Sequence, residues 1–398
     1  MTTGVTDGSM KPSLTIFEKL NFAFRLPLII LPRLIINCVR CTWLAWRRAL
    51  PIHLYLRVGI IRTILGCLKP REIQFISPTS VETYESWMSK KTAAARRAND
   101  ISALDRLKMD IEMLPDGKSS LLWIGNRNKA SKYVLFLHGG GYIAPMAPGH
   151  LEWCYRAYIE NDVPGVEVAV AVLQYTLCPD ARHPLQISQA NAALGCMLNS
   201  GIRPGNIVVG GDSAGANLTA QLLGHLAHGK PQITLSEPLA GAFTVSPWVS
   251  TSTTMHSFLE NQYIDMLASE IAATSAQALL GESQTPPRSI EDQRGWPMPL
   301  DVDGKWLNDW EKVSKALYVT VGSHEVLRDQ GVLFAEHVRQ RNKAMDVCLH
   351  IAETDAHDFV LLEALMVFEA GEKMADMPTP RLDQHRSMVM SFFGRQAS

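Results

Sequence analysis

The chain has 398 residues, of which 46% are hydrophobic, so it can bury one large core or two moderate ones, and intrinsic disorder is excluded as its default state. A formal net charge of −1 gives no overall case for nucleic acid as a partner. The seven cysteines are odd in number and sparse, which excludes an obvious disulfide framework and favours a reducing, intracellular compartment. Cys38 and Cys41 form a C-x-x-C pair, but no second ligand pair follows, and we therefore expect no zinc site there.

Residues 1–72 form a basic, apolar N-terminal segment that differs from the rest of the chain. They hold eleven Lys and Arg residues against three Asp and Glu residues, a net charge of +8, which leaves about −9 for residues 73–398. Within this segment, Leu26–Trp46 is long enough to cross a bilayer. Two prolines and two arginines, which are costly in lipid, interrupt it: Pro27, Pro32, Arg33 and Arg40. Pro51–Leu68 then predicts a second helix with apolar residues along one side.

Three interpretations of this segment stay open. It is an interfacial helical anchor that also covers a pocket, a soluble cap packed on the body, or a transmembrane helix. A basic apolar segment on a mildly acidic body favours a membrane surface over a polyanion as the partner. The first and third interpretations place the protein at the endoplasmic reticulum or another intracellular lipid surface, and the second leaves it in the cytosol. A signal peptide is not expected, because no small-residue cleavage site follows a compact apolar core.

Residues 73–398 alternate predicted strands and helices, as is typical of the α/β class, a mostly parallel sheet with helices on both faces. The predicted strands are apolar or β-branched runs: Leu121–Ile124, Tyr133–Leu137, Val166–Gln174, Ile207–Val209, Leu239–Ser246, Ala316–Val321 and Asp346–Ile351. The predicted helices are Val81–Asp100, Leu151–Asn161, Leu185–Asn199, Asn217–His228, Val332–Asn342 and Asp383–Phe393. Residues 250–312 lose this alternation, and we expect an insertion above the sheet with one helix, Leu267–Leu280, and a stretch rich in Pro and Trp.

The run Ile207–Leu218 has the pattern of a strand, a sharp turn and a helix, with G-x-S-x-G at the corner. A nucleophilic serine uses this geometry because the corner lifts its hydroxyl out of the sheet. Gly211 and Gly215 flank Ser213 at places where a side chain would collide with the neighbouring strand or helix. The helix that follows aims its N-terminus at the serine and favours negative charge that develops there. Ser213 is therefore the predicted nucleophile.

The predicted strand Tyr133–Leu137 runs directly into His138-Gly-Gly-Gly-Tyr142. In a parallel α/β sheet the reacting groups lie at the carboxyl ends of the strands, so this glycine run belongs to the predicted site. Three glycines let a ligand approach the backbone closely and point N–H groups toward it. Together with the N–H of Ala214, they can form an oxyanion hole for a tetrahedral intermediate. Asp212, before the nucleophile, is expected to face inward as a structural hydrogen-bonding group.

Two later strand ends supply candidates for an acid and a base. Glu325 and Asp329 come after Ala316–Val321, and Glu325 is favoured as the acid because it lies closer to the strand end. His357 comes directly after the last predicted strand, Asp346–Ile351, and is the candidate base. A carboxylate that orients a histidine, and a histidine that takes the proton of a serine, form the arrangement that nucleophilic acyl transfer needs.

These motifs jointly resemble the hormone-sensitive-lipase branch of the α/β-hydrolases, a group of serine esterases. The matching stretches, spread over about residues 121–395, are H-G-G-G from His138, Y-T-L-C-P from Tyr175, G-D-S-A-G-A-N-L from Gly211, S-P-W from Ser246, E-V-L-R-D from Glu325 and H-D-F from His357. The order serine, acid, histidine also matches the triad order of that fold. The stretch G-G-G-Y-I-A-P, followed by His150, most resembles fungal members.

The chain departs from the family pattern at two positions. Glu325 stands where the family usually has Asp, and this longer side chain keeps Asp329 open as the acid. The usual H-G-F after the base is H-D-F here, with Asp358 in place of glycine, a change that we expect to be harmless.

The resemblance implies a serine esterase whose site lies under an N-terminal helical cap (residues 1–72) and an inserted segment. The residues that it implies are a catalytic triad, Ser213, Glu325 and His357, and backbone oxyanion donors at Gly139, Gly140 and Ala214. Such a reaction needs no metal or organic cofactor. Tyr142 and Trp248 are the candidate substrate contacts, and we expect a hydrophobic small-molecule ester as the substrate. An acyltransferase or amidase with the same acyl-enzyme stays open, as does a non-catalytic small-molecule receptor.

Overall fold

The computed structural model describes residues 11–160, 165–229, 233–281, 286, 295–371 and 378–394. Parts of three predicted segments lie outside these described residues. They are the first ten residues of the N-terminal segment, Asn161 at the end of a predicted helix, and residues 282–285 and 287–294 of the predicted insertion.

Within the described residues, eight strands form one sheet in the order β1-β2-β4-β3-β5-β6-β7-β8. They are β1 (Asp110–Met113), β2 (Ser120–Ile124), β3 (Lys132–Leu137), β4 (Val168–Gln174), β5 (Ile207–Asp212), β6 (Gly241–Val245), β7 (Ala316–Gly322) and β8 (Asp346–Ala352). The pairs β1–β2 and β2–β4 are antiparallel, and every other neighbouring pair is parallel. The predicted α/β class with a mostly parallel sheet is confirmed.

The helices precede the sheet, connect its strands or follow the last strand. They are α1 (Ile16–Arg25), α2 (Leu31–Arg47), α3 (Ile52–Cys67), α4 (Pro70–Ile76), α5 (Ser80–Arg97), α6 (Ile101–Arg106), α7 (Pro148–Cys154), α8 (Leu185–Asn199), α9 (Ser213–His228), α10 (His256–Asn261), α11 (Ser269–Leu280), α12 (Arg328–Arg341), α13 (Phe359–Ala370) and α14 (Pro380–Gly394). The sequence predicts no helix at α13, whereas it predicts both ends of α8 correctly.

The core lies on both faces of the sheet because successive strand residues point to opposite sides. In β3, the buried side chains of Leu135 and Leu137 belong to one hydrophobic cluster, which includes residues of α8 and α9. Val134 and Phe136, also buried, belong to a second cluster, which includes residues of α7 and α14. Burial on both faces explains why the central strands are continuous apolar runs and show no alternation.

The first two helices join through one π-helical turn, Leu26–Ile30, into a single helix from Ile16 to Arg47. By length and composition it is the one helix among the described residues that could cross a membrane, and 11% of its most apolar window is buried. Large apolar side chains on its outer side are exposed to solvent: Phe17, Ile35 and Trp46 are 65 to 85% exposed. The helix is therefore not a core helix of the body.

The inner side of this helix packs on α3, and α3 packs on the body. Asn37 of α2 donates a buried hydrogen bond of 3.0 Å to Thr63 of α3. Arg62 of α3 donates to the backbone carbonyls of Asp265 and Leu267, at 2.6 and 2.9 Å. These carbonyls precede α11, so the N-terminal helices are attached to the segment above the carboxyl ends of the strands.

Candidate active site

Ser213 stands at the corner between β5 and α9. Its φ of +48° lies in the left-handed region, which is strained for a residue with a side chain. A Cβ at Gly211 or at Gly215 would collide with the carbonyl oxygen of Leu137 on β3, so glycine alone lets the turn lie this close to the neighbouring strand. The corner leaves the Ser213 side chain at a cavity by the carboxyl ends of the strands.

His357 lies in the loop between β8 and α13, and the structure brings it to Ser213. Its Nε2 is 2.9 Å from Ser213 Oγ, although 144 positions separate the two residues in the chain. Both side chains are buried. At this distance an imidazole with its proton on Nδ1 can accept the proton of the serine hydroxyl.

Of the two candidate acids, the structure brings Glu325 and not Asp329 to the imidazole. Glu325 follows β7, is fully buried, and its Oε2 lies 3.4 Å from His357 Nδ1. Asp329 lies in the first turn of α12, where it accepts a hydrogen bond of 2.8 Å from the Ser257 backbone and pairs with Arg328. A carboxylate beside Nδ1 favours the tautomer with a proton there, which leaves Nε2 free to act on the serine.

Asp358 is a second carboxylate at the same imidazole. Its Oδ2 lies 3.2 Å from His357 Nε2, the nitrogen that also faces Ser213. Its φ of +54° is left-handed, a conformation that glycine adopts freely and that Asp tolerates better than most residues. Burial acts to lower the pKa of His357, but the carboxylates of Asp358 and Glu325 raise it well above its ordinary value. The side chain that replaces glycine thus reaches the imidazole. That the replacement is harmless to activity stays a prediction.

Asp265 connects the loops that carry the acid and the base, and the sequence analysis missed it. It is fully buried, its Oδ2 accepts the backbone N–H of Val326 at 2.8 Å, and its Oδ1 accepts the backbone N–H of His357 at 3.1 Å. Burial raises the pKa of Asp265 to about 6, against the opposing effect of His357. The residue lies in the predicted insertion, where no motif marks it, and its partners are 61 and 92 positions away.

The structure changes the predicted set of oxyanion donors. The N–H of Gly139 donates to Asp212 Oδ1 at 3.0 Å, so it is not available to a ligand. The reason is that a buried carboxylate needs donors and takes the nearest backbone N–H. Gly140 and Gly141 line the cavity at the nucleophile. No hydrogen bond within the described ranges engages their N–H groups or that of Ala214, so these three are the candidate donors.

Asp212 faces inward, as expected, and also contacts His150 of α7, whose Nε2 is 3.1 Å from Oδ2. Burial acts to raise the pKa of Asp212, but His150 and the Gly139 N–H hold it below its ordinary value. The carboxylate in turn raises the pKa of His150 against the effect of burial. This pair attaches α7 to the turn that carries the nucleophile.

The two predicted substrate contacts have different positions. Trp248, which follows β6, lines the cavity at the nucleophile. Tyr142 is fully buried, and its hydroxyl donates to Asn217 of α9 at 2.7 Å. The prediction for Tyr142 is therefore wrong: a buried phenol needs a polar partner, and here that partner fastens the glycine-rich loop to α9.

Two cavities that share wall residues lie at the site, and the smaller one reaches the nucleophile. The first, of about 50 Å³, contains the serine and the histidine in its wall. The second, of about 290 Å³, is mainly apolar, and α3, the segment 144–148 and α13 form most of its wall. Four residues line both cavities: Leu65, Gly140, Met266 and Asp358. Through α3, the N-terminal segment thus contributes directly to the walls of the site.

The side chains that converge here are a hydroxyl, an imidazole and carboxylates, the groups of nucleophilic catalysis. In the part of the chain that the structure describes, no group of three or more His, Cys, Asp or Glu residues could hold a metal ion.

Comparison with known proteins identifies the class to which this site belongs. The sequence profile of the family described as alpha/beta hydrolase fold matches residues 134–361, more than half of the chain. The chain belongs to this family. The predicted membership of the α/β-hydrolases is thereby confirmed.

Curated relatives match part of the chain. An esterase from Acinetobacter venetianus strain RAG-1 is 28% identical over 211 residues, which cover 53% of this chain and 62% of the relative. An acetyl-hydrolase from Streptomyces hygroscopicus is 27% identical over 218 residues, which cover 54% of this chain and 64% of the relative. The match therefore spans a little under two thirds of the length of each.

Solved structures match over a longer range. An esterase from the bacterial hormone-sensitive lipase family has a TM-score of 0.57 at 21% identity, covering 85% of this chain and 97% of the other. Carboxyl esterase 2 from the mycorrhizal fungus Tuber melanosporum has a TM-score of 0.56 at 18% identity, covering 72% of this chain and 87% of the other. At these identities the likeness establishes the fold alone.

Proposed function

We propose that this protein is a serine carboxylic-ester hydrolase that acts on hydrophobic small-molecule esters. The observation that carries the proposal is the 2.9 Å contact between Ser213 Oγ and His357 Nε2 at a strained strand-to-helix turn. Glu325 on the other side of the imidazole supports it, as do the N–H groups of Gly140 and Ala214. The names of two relatives, an esterase and an acetyl-hydrolase, point to the same class of reaction.

In the proposed reaction, Ser213 Oγ bonds to the carbonyl carbon of the ester while His357 Nε2 takes the hydroxyl proton. Glu325 stabilises the imidazolium that forms. The N–H groups of Gly140 and Ala214 stabilise the oxyanion, and the loss of one such donor costs about 3–4 kcal/mol. The C–O bond then breaks, and the imidazolium gives its proton to the departing alkoxide. Water repeats these steps on the acyl-enzyme and releases the acid and the free serine.

The walls of the two cavities support an apolar substrate. Trp248 and Leu65 line the smaller cavity, and Ile61, Ile64 and Leu361 line the larger one. Burial of apolar surface contributes about 25 cal/mol per Å², so a hydrocarbon group gains affinity in this chamber. The two volumes, about 50 and 290 Å³, favour a short acyl group beside the serine and a larger apolar group in the chamber.

Hydrolysis of p-nitrophenyl esters, from acetate to decanoate, tests the proposal with Ser213→Ala and a matched serine in the same cavity, Ser275→Ala. We expect Ser213→Ala to lose at least about 10³-fold in kcat, because no other group forms the acyl-enzyme. Ser275→Ala should keep activity within about tenfold. Equal hydrolysis by wild type and Ser213→Ala would refute the proposal. An acyltransferase uses the same acyl-enzyme and would instead give mainly the transesterified product when a hydrophobic alcohol is added.

We further propose that residues 1–72 form a cap on the catalytic domain, residues 73–398, and dock it on an anionic lipid surface inside the cell. Leu65 of the cap lines both cavities, which supports the covering role. The open apolar side chains between Phe17 and Trp46 and the exposed Arg33 and Arg47 on the same helix support docking on anionic lipid. Because the other side of the helix packs on α3, we favour an interfacial position over a membrane span.

A further inference from the structure

One nitrogen of the His357 imidazole faces two oxygen atoms that compete for it. Ser213 Oγ lies 2.9 Å from Nε2, and Asp358 Oδ2 lies 3.2 Å from the same atom. A ring nitrogen carries either one proton or one lone pair, so it cannot donate to a carboxylate and accept from a hydroxyl at the same time. The two contacts therefore belong to different protonation states of the imidazole.

Asp358 is held where it is by its backbone. Its N–H donates to Ser246 Oγ at 3.1 Å, and its φ of +54° turns the side chain into the junction of the two cavities. The side chain is 7% exposed, and its Oδ1 has no hydrogen-bond partner among the described residues. Its one polar contact through the side chain in this part of the chain is His357, so the carboxylate is not saturated by structural partners.

The surroundings of this pair are acidic toward the sheet and apolar toward the cap. The charged and titratable groups around His357 and Asp358 come from four other elements. They are Asp212 at the end of β5, His150 of α7, Glu325 in the loop after β7 and Asp265 in the loop before α11. Leu65 and Met266 line the cavities above. Burial raises the pKa of Asp358 to about 6, against the effect of the neighbouring imidazole. Near neutral pH a carboxylate charge therefore lies beside Nε2.

We propose that Asp358 is a positioning residue that competes with Ser213 for His357 Nε2 and thereby sets the pH above which the imidazole can accept the serine proton. The imidazolium donates its Nε2–H to the Asp358 carboxylate and is inactive as a base. Loss of that proton leaves a lone pair on Nε2, which accepts the Ser213 hydroxyl but faces a carboxylate oxygen at 3.2 Å. The carboxylate thus stabilises the inactive form relative to the active one. The kinetic consequence rests on the proposed function, whereas the proton equilibrium does not.

The sign of the effect follows from this competition. Removal of the carboxylate withdraws stabilisation from the imidazolium, so that His357 loses its proton at lower pH. The acid limb of kcat/KM should then move to lower pH. At a pH below the limbs of both proteins, kcat/KM of the variant should exceed that of wild type about tenfold for each unit by which the limb moves.

The experiment compares Asp358→Asn, which keeps size and tolerates positive φ, with Asp358→Gly, which relieves backbone strain and lacks the carboxylate. Asp355→Asn is the matched control. It removes a carboxylate from the same loop, but this carboxylate pairs with Arg381. Two measurements are made on the full chain from about pH 5 to about pH 10: kcat/KM for p-nitrophenyl butyrate, and NMR titration of the His357 ring in ¹⁵N-histidine protein, assigned with His357→Gln. We expect both Asp358 variants to move the limb and the ring titration down by about one unit or more, and the control to move neither.

A ring titration that coincides with wild type in both folded Asp358 variants would overturn the proposal. The same holds if Asp355→Asn shifts it as much as they do. If wild type hydrolyses no ester while the ring titration still falls in the variants, the proposed function fails and this inference stands. If one variant does not fold, the other decides, because asparagine keeps the size of the side chain, whereas glycine removes it and relieves the backbone strain.

Discussion

Four residues around the site share a backbone conformation that side chains disfavour. Tyr142, Ser213, Ser246 and Asp358 have φ values of +61°, +48°, +49° and +54°, and they are four of the seven non-glycine residues with positive φ in the described chain. Each such residue costs on the order of 1–3 kcal/mol and persists only where its surroundings impose it. All four follow strands, β3, β5, β6 and β8 respectively, so the strain is concentrated at the carboxyl ends where the site lies.

The contact of Glu325 with His357 predicts which carboxylate activity depends on. Glu325→Gln should lower kcat by about 10²–10⁴-fold, because the imidazole then lacks a charge that stabilises its protonated form in the transition state. Asp329→Asn, a matched change on the same segment, should stay within about threefold, since its partners are Ser257 and Arg328. Steady-state kinetics on p-nitrophenyl butyrate, with circular dichroism to check folding, measures both. The reverse ranking would show that the acid is assigned to the wrong residue.

The pH dependence of the wild-type enzyme follows from the charge on His357. Two carboxylates raise the pKa of His357 above the ordinary value of 6.5. The ring therefore stays protonated, and cannot act as a base, until the pH exceeds this raised pKa. We therefore expect kcat/KM to rise with pH through an apparent pKa above about 6.5. A pH profile corrected for spontaneous hydrolysis measures it. An acid limb centred below 6.5 would contradict the charge assignment.

At the scale of elements, the acid and the base lie on loops after separate strands, and Asp265 holds these loops together. One carboxylate accepts the backbone N–H of Val326, next to Glu325, and the backbone N–H of His357. Arg62 of α3 donates a hydrogen bond to the backbone carbonyl of Asp265. The relative position of acid and base therefore depends on a segment to which the N-terminal helices are also attached.

Loss of this connection should affect stability and catalysis together. Asp265→Ala leaves the N–H groups of Val326 and His357 buried without a partner, at a cost of about 1–3 kcal/mol each, and it lets the imidazole move. We expect a lower melting temperature and a kcat reduced by about tenfold or more. Asp301→Ala is the control, because Asp301 also binds a backbone N–H, that of Thr251, but does not contact His357. It should lower the melting temperature with little loss of kcat.

If Asp265→Ala lowered the melting temperature but left kcat unchanged, Asp265 would be structural only. A matching fall in kcat for Asp301→Ala would show that general destabilisation explains the loss.

At the scale of the whole molecule, the charges and the apolar surface are unevenly distributed. Residues 1–72 carry a net charge of +8 on a chain whose total is −1. An exposed apolar face lies on the same segment, and Ile35, Val39 and Trp46 on one side of the helix are 62 to 68% exposed. A helix with this combination is typical of interfacial membrane binding, where apolar burial and attraction to anionic lipid act together.

Removal of that face should release the protein from lipid without affecting the chemistry. The triple change Ile35→Ser, Val39→Ser and Trp46→Ser should lower binding to vesicles containing anionic phospholipid by more than about tenfold. The reason is that each of these exposed apolar side chains contributes favourable free energy of binding when it is buried in the lipid. Hydrolysis of a soluble ester should stay within about twofold. Ile101→Ser is the control, because this side chain is 82% exposed but lies on α6.

Co-sedimentation at low and high salt measures the binding, and wild-type binding should weaken as salt screens the basic residues. Wild-type levels of binding by the triple variant would exclude this face as the docking surface.

Most strands and helices could be predicted from the sequence, because the hydrophobic pattern that indicates each of them lies within one short stretch of chain. The continuous run at β4 and the periodic helix α8 are examples. Helix α13 was missed because Phe359–Ala370 is apolar almost throughout, and a helix buried on most sides has no 3.6-residue period to detect. The short edge strand β1 carries no continuous apolar run, so its bounds could not be predicted from the sequence.

The nucleophile, the base and the preferred acid could be chosen from the sequence because each follows a predicted strand, and a parallel sheet brings strand ends to one edge. Which N–H groups stay free, and which side chains reach the imidazole, could not be chosen in that way. Gly139 is engaged by Asp212, and Asp358 meets the same nitrogen as Ser213. The first contact joins residues 73 positions apart, and the second depends on the left-handed backbone that turns the Asp358 side chain toward the imidazole. Only the packing of the folded chain decides both.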